Sequence, residues 1–254
     1  MSRVILETHD LTVRFGGHVA VDAVSCAFRA GELTAIVGPN GAGKTTYFNL
    51  ISGQIPASAG RVVLNARDIT RDSVAHRTRA GIGRAFQLTN LFPNLSVLEN
   101  VRLVIQSKAG LGYRLLSMAS GHSEITDKAV AILDRVRLYE KRAQLVSELS
   151  HGDQRKLEVA LLIALDPAVY MFDEPTAGMS VDEAPVVLDL IADLKAQKDR
   201  TILLVEHKMD VIARLADRII VLHNGALAAD GDPAEVIASD VVQEAYMGKE
   251  LTDV

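Results

Sequence analysis

The sequence predicts an α/β fold: a mostly parallel β-sheet with helices on both faces, preceded by antiparallel strands and interrupted by a helical insertion. Three observations support this prediction. Short apolar runs alternate with helical periods in the C-terminal half, which is typical of a parallel sheet. Short turns join the strand-like runs at the N-terminal end, which favours antiparallel pairing. Residues 90–160 are mostly helical in their periodicity.

Composition allows one large domain and excludes several classes of protein. The 254 residues are 48% hydrophobic and 23% charged, an ordinary globular balance. The net charge of −5 gives no electrostatic reason to expect nucleic acid as a partner. No signal peptide or membrane-spanning run is evident, so we expect a soluble chain that reaches a membrane only through a partner. Cys26 is the only cysteine, and we expect it to be buried.

The N-terminal elements follow from strand-like runs that glycine turns separate. Residues 3–15 and 18–28 are the first two predicted strands, with Gly16-Gly17 between them. Residues 33–37 are apolar and partly β-branched, which predicts a buried strand. Residues 60–64 predict one further strand before the chain changes character.

The later elements follow from caps, periods and turns. A capping box at Ser96-Val97-Leu98-Glu99 predicts a helix start, and residues 125–138 have a helical period. Three buried strands are then predicted at 168–172, 201–205 and 218–222, with a helix at 183–196 between the first two. A hairpin turn at Asn224-Gly225 and a helix that begins at Asp232-Pro233 follow the third strand.

A glycine-rich loop between the strand at 33–37 and the following helix is the most informative motif. It fits G-x-x-x-x-G-K-[ST] and consists of Gly38, Pro39, Asn40, Gly41, Ala42, Gly43, Lys44, Thr45 and Thr46. Loop N–H groups and a helix N-terminus together favour bound anions. We expect Lys44 to contact the β- and γ-phosphates of a bound nucleotide and the Thr45 hydroxyl to bind Mg²⁺. The alternative is a turn that only links strand to helix.

Asp173 and Glu174 follow a buried apolar run and form a second candidate site. The carboxyl end of a strand is where an α/β sheet binds its ligand. Asp173 suits Mg²⁺, through water, and Glu174 suits a general base. The alternative is a pair of surface charges, which the phosphate loop and the turn forced by Pro175 make less attractive.

A third candidate site opens the helix after Leu149. Ser150 is a natural N-cap, and that is the simpler interpretation. The alternative is a second anion site in which Ser150 and Gly152 contact phosphate. One chain needs only one γ-phosphate site for each nucleotide, so such a site would serve another subunit.

Together these motifs resemble the ATP-binding subunit of ABC transporters over essentially the whole chain. The matches occur in family order and are the phosphate loop at 38–46, Gln87 as the Q-loop, 149–154 as the signature, Asp173-Glu174 as Walker B, 178–182 as the D-loop and His207 as the switch histidine. The resemblance implies one P-loop NTPase domain at 1–254. Its nucleotide-binding core is expected at about 1–87 and 161–254, and its helical signature subdomain at 88–160.

The same resemblance assigns roles to residues that would be weak candidates alone. It implies a head-to-tail pair in which ATP lies between the phosphate loop of one protomer and the Ser150 region of the other. Phe15 is then expected to stack on adenine, and Asp182 to belong to the nucleotide contacts. Gln87 is expected to contact Mg²⁺ and water, and His207 to sense the γ-phosphate. The expected catalytic residues are Glu174, His207 and Gln87, and the expected metal ligands are Thr45, Gln87 and Asp173.

The signature departs from the family pattern of Leu-Ser-Gly-Gly-Gln at two positions. His151 and Asp153 replace the usual residues. An acid in a first helical turn suits the helix dipole, but it would repel a phosphate if it pointed at one. Ser150 and Gly152, the groups best suited to contact phosphate, are retained.

The resemblance is greatest to the branched-chain amino acid uptake type, through four short segments: Arg84-Ala85-Phe86-Gln87, His151-Gly152, Ala177-Gly178-Met179 and Val205-Glu206-His207. It implies permease subunits, a second ATP-binding subunit and, indirectly, a periplasmic solute-binding protein, at the cytoplasmic face of the inner membrane. Urea and aromatic-acid importers stay open. A soluble ABC ATPase is disfavoured because the chain has neither two such units nor a long coiled-coil insertion. A small-molecule kinase would not need Ser150 or His207. A GTPase is disfavoured because no Asp-x-x-Gly follows an early strand of this chain.

Overall fold

The computed structural model describes residues 3–85, 91–109 and 119–239, without the side chains of 119–122. The strands are β1 Val4–Phe15, β2 His18–Arg29, β3 Leu33–Val37, β4 Ala59–Leu64, β5 Arg67–Asp68, β6 Ile82–Ala85, β7 Val169–Asp173, β8 Thr201–Val205, β9 Arg218–His223 and β10 Ala226–Gly231. The α-helices are α1 Lys44–Ser52, α2 Val74–Ala80, α3 Val97–Lys108, α4 Ala119–Arg135, α5 His151–Leu165, α6 Ala184–Ala196, α7 Met209–Leu215 and α8 Pro233–Ile237.

The chain divides into two compact units. The first contains Met1–Arg84, Ala168–Glu174 and Leu194–Val254, and the second contains Ala85–Pro167 and Pro175–Asp193. Both sheets belong essentially to the first unit, whereas α3, α4, α5 and most of α6 belong to the second.

The first sheet is antiparallel, with strand order β2-β1-β4-β5. Short turns join β1 to β2 and β4 to β5, which restricts each pair to antiparallel pairing. The second sheet has the order β10-β9-β3-β8-β7-β6. Parallel pairing joins β3 to both β8 and β9, and β7 to β8, whereas the Asn224-Gly225 turn makes β9 and β10 antiparallel. The predicted mixture of antiparallel and mostly parallel sheets is confirmed.

The two faces of β3 pack against different layers of the first unit. Ile36 belongs to the larger core, where the antiparallel sheet and the α1 side chains Tyr47 and Phe48 cover the parallel sheet. Ala35 and Val37 face a smaller core that includes Ile212 of α7 and Val236 of α8. Since β3 is buried on both faces, its sequence is a continuous apolar run instead of an alternating one.

Helix ends in the second unit differ from the predictions in two places. The N-cap Ser96 accepts from the Glu99 N–H at 3.2 Å, but the Glu99 carboxylate pairs with Arg102, so only half of the predicted capping box forms. Helix α4 ends at Arg135, earlier than the predicted Leu138, because Arg137 has a left-handed φ of 57°. In the described part of the chain, no helix is long and apolar enough to cross a bilayer.

Candidate nucleotide-binding and catalytic site

The loop from Gly38 to Gly43 connects β3 directly to α1, and its backbone requires glycine at both ends. Gly38 and Gly43 have φ values of 148° and 97°, and an added Cβ would come closer than 3.0 Å to the carbonyl oxygens of Leu222 and Ala20 respectively. Among the described residues, no side chain caps the first turn of α1. Its N–H groups are therefore available to an anion at the helix start.

Lys44, the first residue of α1, lies across this loop. Its ammonium group donates to the carbonyl oxygens of Gly38 at 2.7 Å and Pro39 at 2.9 Å, and the side chain is buried. The two carbonyl groups hold the ammonium group beside the loop. This arrangement suits phosphate oxygens, which form shorter and stronger charge-assisted hydrogen bonds with an ammonium group.

Parallel pairing brings the ends of three strands that are distant in sequence to one edge of the sheet. Val205 of β8 is paired with Ile36 of β3 on one side and with Asp173 of β7 on the other. The residues that follow these strands are the phosphate loop, Glu174 and Glu206. The carboxyl edge of the sheet thus collects the chemical groups, as expected for an open α/β sheet.

Glu174 and His207 are in direct contact at this edge. The Glu174 Oε1 atom lies 2.9 Å from the His207 Nε2 atom. Glu174 has a φ of 49°, a conformation that is uncommon for a residue with a side chain, and its N–H donates to the Val205 carbonyl at 2.9 Å. The buried Glu206 carboxylate accepts from the N–H groups of His207 and Lys208 at 3.1 and 3.3 Å, so it orders the chain that carries His207.

A cavity of about 350 Å³ joins the loop to the Glu174–His207 pair. This volume is within the range of small-ligand sites. Phe15, 53% exposed at the end of β1, lines one side of the cavity, together with His18 and Ala20 of β2. The other lining residues are Asn40, Gly41, Ala42, Gly43, Lys44, Thr45, Thr46, Glu174 and His207.

The residues present fit ATP and a magnesium ion. The uncapped α1 start, the Lys44 ammonium and the exposed Phe15 ring match phosphate groups and a base. Thr45 and Asp173 offer the hard oxygen donors that Mg²⁺ prefers, usually one or two per protein with phosphate and water completing the shell. No cluster of three or more His, Cys, Asp or Glu side chains that could hold a metal ion occurs among the described residues.

The signature segment lies in the second unit and begins α5. Ser150 is the N-cap, and its hydroxyl accepts from the Asp153 N–H at 3.2 Å. Asp153 is buried between Lys141 and Lys156, with 3.0 Å to the Lys156 ammonium. Burial alone would raise the pKa of Asp153, but hydrogen bonds from the two lysines outweigh it and hold the pKa below its usual value. The acid therefore points at cations of its own unit.

The D-loop contacts the signature within the same unit. A Cβ added to Gly152 would come closer than 3.0 Å to the Glu183 carboxylate, and a Cβ added to Gly178 would lie 3.2 Å from the His151 ring. The Glu183 carboxylate also accepts from the Ser180 hydroxyl at 3.0 Å. Asp182 is exposed, and the neighbouring Val181 is 89% exposed.

Most of the residues that line the cavity were predicted from the sequence, but some residues of the site were not. Gln87 lies outside the described residues. His18, Ala20, Glu206 and Arg84 were not predicted as site residues. For His18 and Ala20 the available signal was their period-two spacing on β2 beside Phe15; Arg84 and Glu206 had no signal beyond their place in short motifs.

Residues 21–177 match the ABC transporter family. The chain is also 37% identical to the high-affinity branched-chain amino acid transport ATP-binding protein LivG of Salmonella typhimurium, over 98% of this chain and 100% of that protein. The chain belongs to the ABC transporter family. A second relative, the high-affinity branched-chain amino acid transport ATP-binding protein BraF of Pseudomonas aeruginosa, is 35% identical over 98% of this chain and 100% of its own length.

Solved structures agree with this assignment. The ADP conformation of MJ1267, an ATP-binding cassette of an ABC transporter, superposes with a TM-score of 0.81 at 29% identity, covering 97% of this chain and 100% of MJ1267. The cassette MJ0796, a dimer in a post-hydrolysis state with ADP and Pi, has a TM-score of 0.77 at 26% identity, covering 90% and 99%. The predicted fold and the predicted family, with its ATP-hydrolysing activity, are confirmed.

Proposed function

We propose that this protein is the ATP-hydrolysing subunit of an importer for branched-chain or related amino acids. The Glu174–His207 contact of 2.9 Å at the cavity of the phosphate loop is the observation that carries the hydrolytic part of the proposal. The solute class comes from the full-length similarity to LivG and BraF.

The residues of the first unit then have distinct roles. Gly38, Gly41 and Gly43 let the backbone approach the phosphates closely, with Pro39, Asn40, Ala42 and Thr46 completing the loop. Lys44 neutralises charge on the β- and γ-phosphates, and Phe15 stacks on the base. A Mg²⁺ ion held by Thr45, Gln87 and Asp173 would supply further neutralisation of the phosphate oxygens.

Glu174 is the residue placed to take a proton. Its side chain is 43% exposed and faces the cavity next to the 36% exposed His207. A carboxylate within hydrogen-bond reach of a water molecule accepts its proton as the water attacks the terminal phosphorus atom. His207 fixes the position of the Glu174 carboxylate and presents its ring to the cavity.

The second unit supplies a phosphate contact to a partner in this proposal. Ser150 and Gly152 at the start of α5, with Asp182 of the D-loop, which precedes the Glu183 that faces Gly152, would close over the nucleotide of a second ATP-binding subunit. Opening and closing of that pair would drive permease subunits at the cytoplasmic face of the inner membrane, and a periplasmic binding protein would deliver the solute. The single domain at 1–254, with its core and its helical signature subdomain, is part of the same proposal.

Glu174→Gln tests the hydrolytic role. We expect phosphate release to fall by at least about 100-fold, because the amide cannot accept a proton, while ATP binding persists and an ATP-bound pair accumulates. Phosphate release and ATP-dependent pairing are measured on the complex purified through a tag on this chain. The control is Glu124→Gln, which removes an exposed carboxylate paired with Lys128 at 2.7 Å. Normal turnover by Glu174→Gln would refute the role of Glu174.

The solute assignment needs a separate experiment. The permease and binding-protein subunits that co-purify with the tagged chain are identified, and the binding protein is screened by calorimetry against leucine, isoleucine, valine, urea and aromatic acids. We expect binding of branched-chain amino acids. Binding of urea alone or of an aromatic acid alone would indicate instead that the protein serves an importer of that type.

A further inference from the structure

Arg84 lies on β6. It connects Asp173, the residue before the catalytic Glu174, to α1, the helix that begins at the phosphate loop. Its Nη2 atom donates to the Asp173 Oδ2 atom at 2.7 Å. Its Nη1 atom donates to the side-chain oxygens of Asn49 at 2.7 Å and Ser52 at 3.0 Å, both on α1. The guanidinium carbon also lies 5.3 Å from the ring centre of Phe48, on the same helix.

This ion pair is almost completely removed from water. The Arg84 and Asp173 side chains are only 6% and 5% exposed. A buried carboxylate is tolerated when it is paired and hydrogen-bonded. Because arginine keeps its charge and a rigid planar fork of donors, it fixes the direction of the carboxylate as well as neutralising it.

The hydrogen-bond partners of Arg84 lie on the two elements that carry the candidate metal ligands Thr45 and Asp173. Thr45 is on α1, four residues before Asn49, and Asp173 ends β7. The guanidinium group therefore sets the Asp173 carboxylate relative to α1. Mg²⁺ demands near-ideal octahedral geometry with short bonds to oxygen, so a carboxylate that rotates or shifts loses the ion more readily than a fixed one.

We propose that Arg84 is a positioning residue for the divalent cation: it holds Asp173 in the place, relative to α1, at which Asp173 and Thr45 serve one metal–nucleotide complex. This inference rests on the proposed function, because it takes Asp173 and Thr45 as metal-site residues. It adds a residue that neither contacts the nucleotide nor follows from the phosphate-loop motif.

Arg77 on α2 provides a matched comparison within the same unit. It is also buried, and at the C-terminal end of α1 it donates to the carbonyl oxygens of Leu50 and Ile51, at 2.6 and 2.7 Å. Burial lowers the pKa of both arginines below its ordinary value, an effect that the Asp173 carboxylate partly offsets at Arg84. The two residues thus share burial and contact with α1, but only Arg84 holds Asp173.

The test compares Arg84→Lys with Arg77→Lys in the full-length protein. Mn²⁺, the probe for the cation, is titrated by electron paramagnetic resonance in the presence of ADP. The affinity for a fluorescent ADP analogue is measured without metal in EDTA, and the Tm of each variant is recorded. For Arg84→Lys we expect Mn²⁺ binding to weaken by about tenfold, the size of effect typical of partners that orient metal ligands, with metal-free ADP binding changed by less than about twofold, since its contacts do not involve Arg84. Arg77→Lys should lower the Tm without weakening Mn²⁺ binding.

Two further variants keep the inference open to refutation. Asn49→Ala removes one anchor of Arg84 and leaves the ion pair intact, and it should weaken Mn²⁺ binding about threefold; it is decisive if Arg84→Lys does not fold. Asp173→Asn tests the metal site itself. If Asp173→Asn leaves Mn²⁺ binding unchanged, the metal role in the proposed function fails and the inference fails with it. If Asp173→Asn weakens binding while Arg84→Lys and Asn49→Ala do not, or if Arg77→Lys weakens it as much as Arg84→Lys, only the role of Arg84 is refuted.

Discussion

The two units build their candidate phosphate sites in different ways. In the first unit, Lys44, Glu174 and His207 come from three separate parts of the chain, and parallel strand pairing brings them together. In the second unit, Ser150 and Gly152 lie within one turn of one helix, and local hydrogen bonds determine their arrangement. The first arrangement brings together an ammonium group, a carboxylate and an imidazole, whereas the second presents a hydroxyl group at a helix start.

Charge differs between the two sites as well. The first site places a carboxylate, Glu174, where it remains accessible beside the cavity. The second site contains an acid that two lysines neutralise, so Asp153 does not oppose an approaching phosphate. This difference predicts that substitutions in the first unit change nucleotide binding and chemistry in each chain, whereas substitutions at Ser150 or Gly152 change pairing.

Lys44→Met should give the largest effect. Hydrogen bonds to charged groups contribute about 1.5–3 kcal/mol each, so we expect ATP affinity to fall by roughly 10–100-fold, with hydrolysis lost. Lys128→Met, which removes an exposed lysine of the surface pair with Glu124, is the control. Equilibrium binding of a fluorescent ATP analogue measures the effect. Unchanged ATP affinity in Lys44→Met would contradict the expected role of the first unit in nucleotide binding.

Gly152→Ala should have an intermediate effect confined to pairing. Its methyl group would displace the Glu183 carboxylate, which is the end of a flexible side chain, so we expect the free energy of unfolding to change by less than about 1 kcal/mol. Pairing, measured by ATP-dependent association in the Glu174→Gln background, should weaken by about tenfold, because Glu183, the residue after the D-loop, loses its place against the signature.

Glu183→Ala removes the obstacle and provides the control for this prediction. ATP-dependent pairing of the Gly152→Ala, Glu183→Ala double variant should be stronger than the sum of the two single losses predicts. Strict additivity would mean that Gly152 does not act through Glu183.

Ser150→Ala should have the smallest effect on pairing, together with a measurable loss of stability. Loss of an N-cap costs about 1 kcal/mol, and Ser96→Ala should cost the same, because both hydroxyls accept from a backbone N–H at 3.2 Å in the same unit. Only Ser150→Ala should also weaken ATP-dependent pairing, by roughly fivefold. Chemical denaturation and the pairing measurement together separate the two roles. Equal pairing in Ser150→Ala and Ser96→Ala would mean that Ser150 serves only as a helix cap.

Predictions from sequence were most accurate where local rules determine structure. The strand–loop–helix unit around Lys44, the N-cap Ser150 and the hairpin at Asn224-Gly225 depend on neighbours in the chain, and each formed as predicted. Glycine φ preferences, side-chain caps and apolar runs are local in origin.

Predictions were weaker where several residues compete for one group. The Glu99 carboxylate pairs with Arg102 and leaves the capping box incomplete. The fate of Asp153 depended on Lys141, which a separate 3₁₀ turn at Tyr139–Lys141 supplies. An acid in a first helical turn has the same sequence signature whether a phosphate or a lysine faces it, so the sequence left this question open.

The sequence by itself determined the fold class, the family and the identity of the phosphate loop, because these depend on local patterns in a fixed order. Only the tertiary structure revealed the hydrogen bond between Glu174 and His207, the burial of Asp153 and the link from Arg84 to Asp173. The physical reason is that strand register and side-chain burial decide which polar groups meet, and residues 84 and 173 become neighbours only after the sheet and α1 have packed together.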